Sequence, residues 1–114
     1  IDIDIPNDDI QQMASLAVSM FHRALGAFVI EDALTARKIP PEDDKVDEFY
    51  NHVQRHIVTI MIERPDIIDH ANLLMWVAHN LERMADRVSN ICERTIFVAT
   101  GEFLEIESKA KEIK

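Results

Sequence analysis

The sequence predicts an all-α protein, an antiparallel up-down-up bundle of three long helices. Apolar residues recur at intervals of three and four over most of the chain, which is the spacing of one helix face. Prolines interrupt this pattern at Pro40-Pro41 and at Pro65, and these breaks leave three helical segments. No segment alternates apolar and polar residues as a half-buried strand would. Because both connections are short, neighbouring helices are expected to run antiparallel.

The first helix is predicted to have Asn7 or Asp8 as its N-cap and to end near Lys38, before the two prolines. Asp8 and Asp9 suit the positive end of its dipole. The apolar residues of its expected core face are Ile10, Met13, Leu16, Ala17, Met20, Leu25, Phe28 and Val29.

The second helix is predicted to begin at Pro41 or just after it, because proline is favoured in a first turn and three acidic residues follow. It should stop at Glu63-Arg64-Pro65, since proline cannot continue the helix. The residues of its expected core face are Val46, Phe49, Val53, Ile57 and Ile60.

The third helix should start at Asp66 as N-cap and end at Thr100-Gly101, because glycine favours the left-handed backbone of a C-terminal cap. The residues expected to face the core are Leu73, Leu74, Val77, Leu81, Met84, Val88, Ile91 and Thr95. A bundle domain over residues 1–102 follows, with a charged tail or short helix over residues 103–114.

Composition and charge argue against several functional classes. Twenty-one acidic residues against twelve basic ones give a net charge of −9, which disfavours nucleic acids and anionic membrane surfaces as partners. The single cysteine, Cys92, excludes an internal disulfide and a multi-cysteine zinc site. No apolar run approaches the ~20 residues that span a bilayer. No glycine-rich phosphate loop is present, and no enzyme is expected. A start at Ile1 rather than at methionine suggests a processed product or a piece of something longer.

Two carboxylate pairs form the candidate site. Glu82 and Asp86 are four residues apart on the third helix, so their side chains leave it about 40° apart. Asp43 and Asp47 repeat this spacing at the start of the second helix. Helical-wheel arithmetic places both pairs away from the core, and antiparallel packing would bring them to a similar height on one outer face. Such carboxylates suit calcium, magnesium, manganese or iron, although an ordinary solvated face has the same pattern.

Other constellations are weaker. Asn90 and Glu93 extend the stripe of Glu82 and Asp86 along the third helix. A buried di-iron site of the ferritin type requires Glu-x-x-His on two helices, and none of the five histidines has a carboxylate three residues before it. We interpret the His52/His56 pair as ordinary, partly exposed histidines, and Cys92 as a buried, inert thiol.

Several motifs resemble, in the right order, those of the PhoU family of phosphate-uptake regulators. These motifs are Ala27-Phe28 with Glu31-Asp32 and Ala36, the acidic run 42–50, and the third-helix runs 81–87, 90–93 and 98–102. Members of the family usually carry two three-helix repeats in tandem, and the last two runs look more like the second repeat. The resemblance therefore implies that this chain is a C-terminal repeat. Ala85 stands where the family commonly has glycine.

The resemblance also implies a site and a role. Asp43, Asp47, Glu82 and Asp86 would correspond to the paired E/D-x-x-x-D motifs that hold iron, or manganese, magnesium or zinc, on the bundle surface, with Asn90 and Glu93 as adjoining positions. The implied role is a cytoplasmic negative regulator, peripheral to the inner membrane. It would link a phosphate ABC transporter ATPase to a sensor histidine kinase and form a homodimer or higher oligomer. The alternatives are a metal-free helical interaction module and a PhoU-like domain of a larger transporter or transcription factor.

Overall fold

The computed structural model of the chain describes residues 6–101, and within that range all regular structure is helical. The α-helices are α1 (Asn7–Val29), α2 (Ala33–Lys38), α3 (Asp43–Glu63) and α4 (Ile68–Thr100), with 3-10 turns at Pro40–Glu42 and Pro65–Ile67. The predicted all-α class with three long helices is confirmed. The predicted tail over residues 103–114 lies outside the described residues. No helix in the described range is both long and apolar enough to cross a membrane.

The first helix ends nine residues earlier than predicted, at Val29 rather than near Lys38. Glu31 adopts a left-handed backbone with φ of 55°, which a continuing α-helix does not allow. Asp32 then caps α2, because its side chain accepts a hydrogen bond from the Thr35 backbone N–H at 3.1 Å. The sequence Glu-Asp before a short helical run is the signal that the periodicity argument missed.

The ends of the other helices follow the prolines and glycine. The second long helix, α3, begins at Asp43 after the Pro40–Glu42 turn and stops at Glu63, as predicted. The assignment of Asp66 as N-cap of α4 is wrong, because its carboxylate pairs instead with Arg64 at 2.8 Å. Gly101 confirms the predicted C-terminal cap: its φ is 78°, and its N–H donates to the Phe97 carbonyl at 2.8 Å.

Contacts between side chains fix the register of the bundle. The His52 ring lies 3.5 Å from the Asp9 carboxylate, so the start of α1 meets the middle of α3. Further along α1, Arg23 forms a two-pronged ion pair with Glu42, just before α3 begins. These two contacts show that α1 and α3 are antiparallel. The Tyr50 and His79 rings lie 6.4 Å apart, and Asp47, earlier on α3, contacts Glu82, later on α4. These two contacts make α3 antiparallel to α4, which confirms the up-down-up order.

The core is built around small residues of α4 rather than around its largest apolar ones. Ala71, Ala78, Ala85 and Cys92 recur every seven residues and are at most 1% exposed. Small side chains at the contact let the helix axes approach closely, so this line faces the other helices. The buried residues that extend it are Val88, Ser89, Thr95 and Ile96.

Several predicted core residues are therefore displaced towards solvent. Leu73 and Val77 of α4 are 62% and 40% exposed, and on α1 the residues that proved exposed are Leu25, Phe28 and Val29. By contrast, the predicted core face of α3 is confirmed, since Val46, Val53, Ile57 and Ile60 are buried and Phe49 packs against them. The periodicity correctly located an apolar stripe on each helix. On α4, however, the buried edge of the stripe is the one that carries the small residues.

Candidate functional site

The two carboxylate pairs come together where α3 packs against α4. In this antiparallel register Tyr50 lies opposite His79, so Asp47, one turn earlier on α3, lies opposite Glu82, one turn later on α4. A hydrogen bond joins the Asp47 and Glu82 carboxyl groups. Asp43 and Asp86 lie one turn further along the same two helices. We call these four residues, Asp43, Asp47, Glu82 and Asp86, the acidic seam.

Burial of the acidic seam differs from the sequence prediction. Asp43 is completely buried, with both carboxylate oxygens inaccessible to water. Asp47, Glu82 and Asp86 are half-buried. The prediction that both pairs lie on an outer face, away from the core, is therefore wrong. The reason is geometric: Asp86 follows the buried Ala85 on α4 and Asp47 follows the buried Val46 on α3, so the packing of the two helices partly covers side chains beside these core residues.

Burial and like charge together change the protonation of Asp47. Partial removal from water is the main cause that raises its pKa, and the hydrogen bond with Glu82 and the charges of Glu82 and Asp86 add to it. The resulting pKa of Asp47 is about 7, against an ordinary value of 3.8. At neutral pH this carboxyl group is therefore close to half protonated in the metal-free chain.

Glu82 shares this behaviour. Burial again raises its pKa, and the charges of Asp86 and Asp43 raise it further, while the hydrogen bond with Asp47 opposes the shift. Because the two groups titrate together, the raised pKa values describe one proton shared by the Asp47 and Glu82 carboxyls. The charges of Asp43 and Asp86 therefore both reach Glu82, and the two carboxylate pairs lie at a similar height, as the sequence predicted.

Tyr50 is a fifth oxygen-bearing side chain at the seam that the sequence reasoning missed. Burial raises the pKa of its hydroxyl, and the charge of Glu82 raises it further. Its position three residues after Asp47, on the same side of α3, was the available signal.

The seam offers the chemistry of a hard-cation site without a finished coordination sphere. The side chains that shift the pKa values of Asp47 and Glu82 are all carboxylates. Oxygen ligands gathered in this way fit calcium, magnesium, manganese or iron. Within residues 6–101, however, no three histidine, cysteine, aspartate or glutamate side chains are already spaced to hold a metal ion.

Asn90 and Glu93 lie further along α4 than the seam. At a rise of ~1.5 Å per residue they are about 6 and 10 Å beyond Asp86 along the helix axis. Asn90 is exposed and Glu93 half-buried, and neither contributes to the shifted pKa values of Asp47 and Glu82. Their predicted role as adjoining ligands stays a prediction.

The remaining candidates behave as ordinary residues. Cys92 is fully buried, which confirms the predicted burial, and burial raises the pKa of its thiol to about 11, which disfavours the reactive thiolate. His52 and His56 lie with their rings 6.5 Å apart, and His52 is directed at Asp9. The two rings lie on the α1 side of α3, away from the seam.

A model of the PhoU domain matches residues 10–95 of this chain. A protein of Streptococcus pneumoniae, described as "Phosphate-specific transport system accessory protein PhoU homolog", is 30% identical over 99 residues. That alignment covers 87% of this chain and 46% of the relative. A protein of Caulobacter vibrioides with the same description is 36% identical over 95 residues, covering 83% of this chain and 41% of the relative.

A solved structure agrees in fold. It is described as the crystal structure of the phosphate transport system regulatory protein PhoU from Streptococcus pneumoniae, and it matches with a TM-score of 0.81 at 28% identity. The match covers 93% of this chain and 51% of that chain. This chain therefore spans about half the length of the relatives that it matches.

Proposed function

This chain belongs to the PhoU domain family, and from that premise we propose that it works as an accessory component of a phosphate transport system. The observation that carries the proposal is the family match over residues 10–95, together with the bundle shared with the PhoU structure. The relatives are named as accessory proteins, which agrees with the predicted absence of enzymatic activity. The proposed role is to restrain phosphate transport and phosphate-starvation signalling, through contacts with the transporter ATPase and a sensor histidine kinase.

A cellular experiment tests this role. Deleting the gene that carries this chain should leave a phosphate-starvation reporter active in phosphate-rich medium, and the intact gene should silence it again. A reporter that stays silent after the deletion would contradict the regulatory role.

We further propose that the acidic seam binds a divalent or trivalent cation, with iron as the first candidate and manganese, magnesium or zinc as others. The observation that supports it is the meeting of four carboxylates where α3 packs against α4, with Asp47 and Glu82 half-buried and in contact. A cation at this place would relieve the repulsion that raises the pKa of both groups. Asp47, Glu82 and Asp86 would hold the ion and Asp43 would support it from the buried side. A bound ion would neutralise the seam and tie α3 to α4. Since no three of these ligands are spaced for a metal beforehand, their side chains must reorient on binding.

Calorimetric titration of the purified protein with Fe²⁺, Mn²⁺, Zn²⁺ and Mg²⁺ tests the cation site. Binding should release a proton near neutral pH, because the cation replaces the proton shared by Asp47 and Glu82. Titrations in two buffers with different ionisation enthalpies measure that release. The double variant Asp47→Asn/Glu82→Gln should lose about tenfold or more in affinity.

A matched control carries the same charge change elsewhere. Glu48 and Asp69 are exposed on α3 and α4, so Glu48→Gln/Asp69→Asn should leave the affinity within about twofold. Equal affinity of wild type and the seam variant would sink the cation assignment. In that case the metal-free interaction module would be the better description of the seam.

A further inference from the structure

A groove with a different character runs along the other side of α4. It lies between α1 and α4, has a volume of about 350 Å³, and is lined by Phe21, Asn80, Arg83, Met84 and Arg87. We call it the arginine groove. Arg83 and Arg87 each follow a residue of the acidic seam by one position, which turns them about 100° away from it.

Phe21 is the residue of α1 that lines the groove, and exposed apolar residues flank it on that helix. Val18, Phe21 and Leu25 are spaced by three and four residues, so they follow one line along the helix. Phe21 is half-buried, while Val18 and Leu25 are 41% and 39% exposed. On the α4 wall, Met84 is half-buried, and Val77, two turns before it, is 40% exposed. Apolar surface therefore continues along the groove in both directions.

The opposite rim is positively charged. Arg83 and Arg87 are exposed, and neither forms an ion pair with a carboxylate of residues 6–101. Arg94 and Trp76 continue the same line of α4, and Trp76 is 67% exposed. In a chain with a net charge of −9, a line of exposed arginines beside an apolar groove is a local reversal of charge.

We propose that the arginine groove docks an amphipathic helix of a partner protein, whose apolar residues enter the groove and whose acidic residues meet Arg83 and Arg87. The shape supports a helix, because an apolar trough between two parallel helices accepts side chains at i, i+3, i+4 and i+7. The charge selects an acidic partner, since arginine forms two-pronged hydrogen bonds with carboxylates. Extended polyanions such as nucleic acid or an anionic membrane are disfavoured, because their other phosphates would face the acidic bulk of this chain.

The arginine groove and the acidic seam are separate parts of the molecule, so docking of a helix in the groove does not depend on cation binding at the seam. Both sites nevertheless include residues of α4, and each arginine of the groove directly follows a carboxylate of the seam in the sequence. A partner held at Arg83 and Arg87 would lie one helix face away from the carboxylates of Glu82 and Asp86.

Trp76 provides the readout, because it is the single tryptophan and lies beside the groove, where its carbonyl accepts a hydrogen bond from Asn80. The probe is a synthetic helix of about 18 residues with leucines at helical spacing and glutamates beside them. It should shift the Trp76 emission to shorter wavelength in a saturable way, and added salt should weaken it. A peptide with lysines in place of the glutamates should leave the Trp76 emission unchanged.

Two variants test the groove. Arg83→Glu/Arg87→Glu should weaken the acidic peptide by about tenfold or more, because exposed arginines can be replaced without loss of fold while the charge match is reversed. Arg37→Glu/Arg55→Glu makes the same charge change at two exposed arginines outside the groove and should leave the affinity within about twofold. Met84→Gln should also weaken binding, since it removes the apolar floor; circular dichroism checks that each variant is folded.

Three outcomes would overturn the proposal. The first is equal binding of the glutamate and lysine peptides, and the second is an equal loss in the two double-arginine variants. The third is tighter binding of another occupant. Vesicles containing phosphatidylglycerol would reveal this by shifting the Trp76 emission at lower concentration than the peptide does. A second copy of this chain would reveal it as concentration-dependent self-association that Arg83→Glu/Arg87→Glu abolishes.

Discussion

Two pairs of charged residues on α4 have the same i, i+4 spacing but differ in burial. Glu82 and Asp86 face α3, where they are half-buried and coupled to two further carboxylates. Arg83 and Arg87, each one residue later, face solvent beside the α1–α4 groove. A turn of about 100° per residue is the whole difference in position. The comparison shows that an i, i+4 charged pair acquires unusual chemistry only where a neighbouring helix covers it.

The line of small residues on α4 creates this difference. Ala85 lies within the segment that carries both pairs, after Glu82 and Arg83 and before Asp86 and Arg87. It is fully buried, and its small side chain allows close packing of the helices. Glu82 and Asp86, on one side of that line, contact α3 and are partly buried. Arg83 and Arg87, on another face of the helix, remain exposed to solvent. The same packing makes the acidic seam costly in the metal-free chain and leaves the arginines free for a partner.

The largest expected effect follows from filling the space at Ala85. Ala85→Leu adds three carbons to a buried contact, so it should lower the free energy of unfolding by about 1–3 kcal/mol. It should also lower the pKa of Asp47, because separating α3 from α4 lets water reach that carboxyl. Urea denaturation measures the first effect, and carboxyl titration by NMR the second. Ala99→Leu, at an exposed position of the same helix, should change stability by less than about 0.5 kcal/mol.

A second effect is the pH dependence of the metal-free chain. Asp47 has a folded-state pKa of about 7 against an ordinary value of 3.8, so the native state holds a proton that the unfolded chain has released. The contribution of Asp47 to the free energy of unfolding should therefore be greatest at or below pH 3.8, and it should be lost as the pH rises through about 7. Glu82, whose pKa is also raised, adds to the same slope.

Asp47→Asn isolates this contribution. The variant should flatten the slope and, at about pH 8, stabilise the metal-free chain by roughly 1–2 kcal/mol, a value reduced from the full linkage because the group is partly solvated. Urea unfolding at a series of pH values measures it. A steep loss of stability that persists in Asp47→Asn would contradict the assignment of the shared proton. A bound cation should reverse the slope for the wild type, since it competes with that proton.

The smallest expected effect is on the arginine side. Neutralising both residues as Arg83→Gln/Arg87→Gln should change the free energy of unfolding by less than about 0.5 kcal/mol at every pH, because exposed charges without partners contribute little. The same urea series measures it. A change as large as that of Asp47→Asn would mean that the two sides of α4 are not as different as their burial indicates.

Much of the fold could be predicted because its signals are local. Pro40-Pro41 and Pro65 mark the ends of helices through their backbone, and Gly101 adopts the left-handed cap that glycine favours. Short connections then require antiparallel neighbours. The break after Val29 was missed because it depends on Glu31 and Asp32, two residues that also occur freely inside helices.

The candidate site could be predicted only in part. The spacing of Asp43/Asp47 and Glu82/Asp86, with antiparallel helices, was sufficient to bring the four carboxylates together. Their burial was predicted wrongly, because the wheel was centred on the largest apolar residues of α4. Volume, rather than hydropathy, sets the closest approach of two helices, and it placed Ala78 and Ala85 at the centre instead.

The three long helices, their order, the family and the identity of the four carboxylates could all be predicted from the sequence, because periodicity, proline, glycine and residue spacing act within a few residues of chain. Only the tertiary structure decided which flank of α4 loses water. That choice depends on how three helices fill space together, and it separates Glu82 and Asp86, which are half-buried, from Arg83 and Arg87, which remain exposed to solvent.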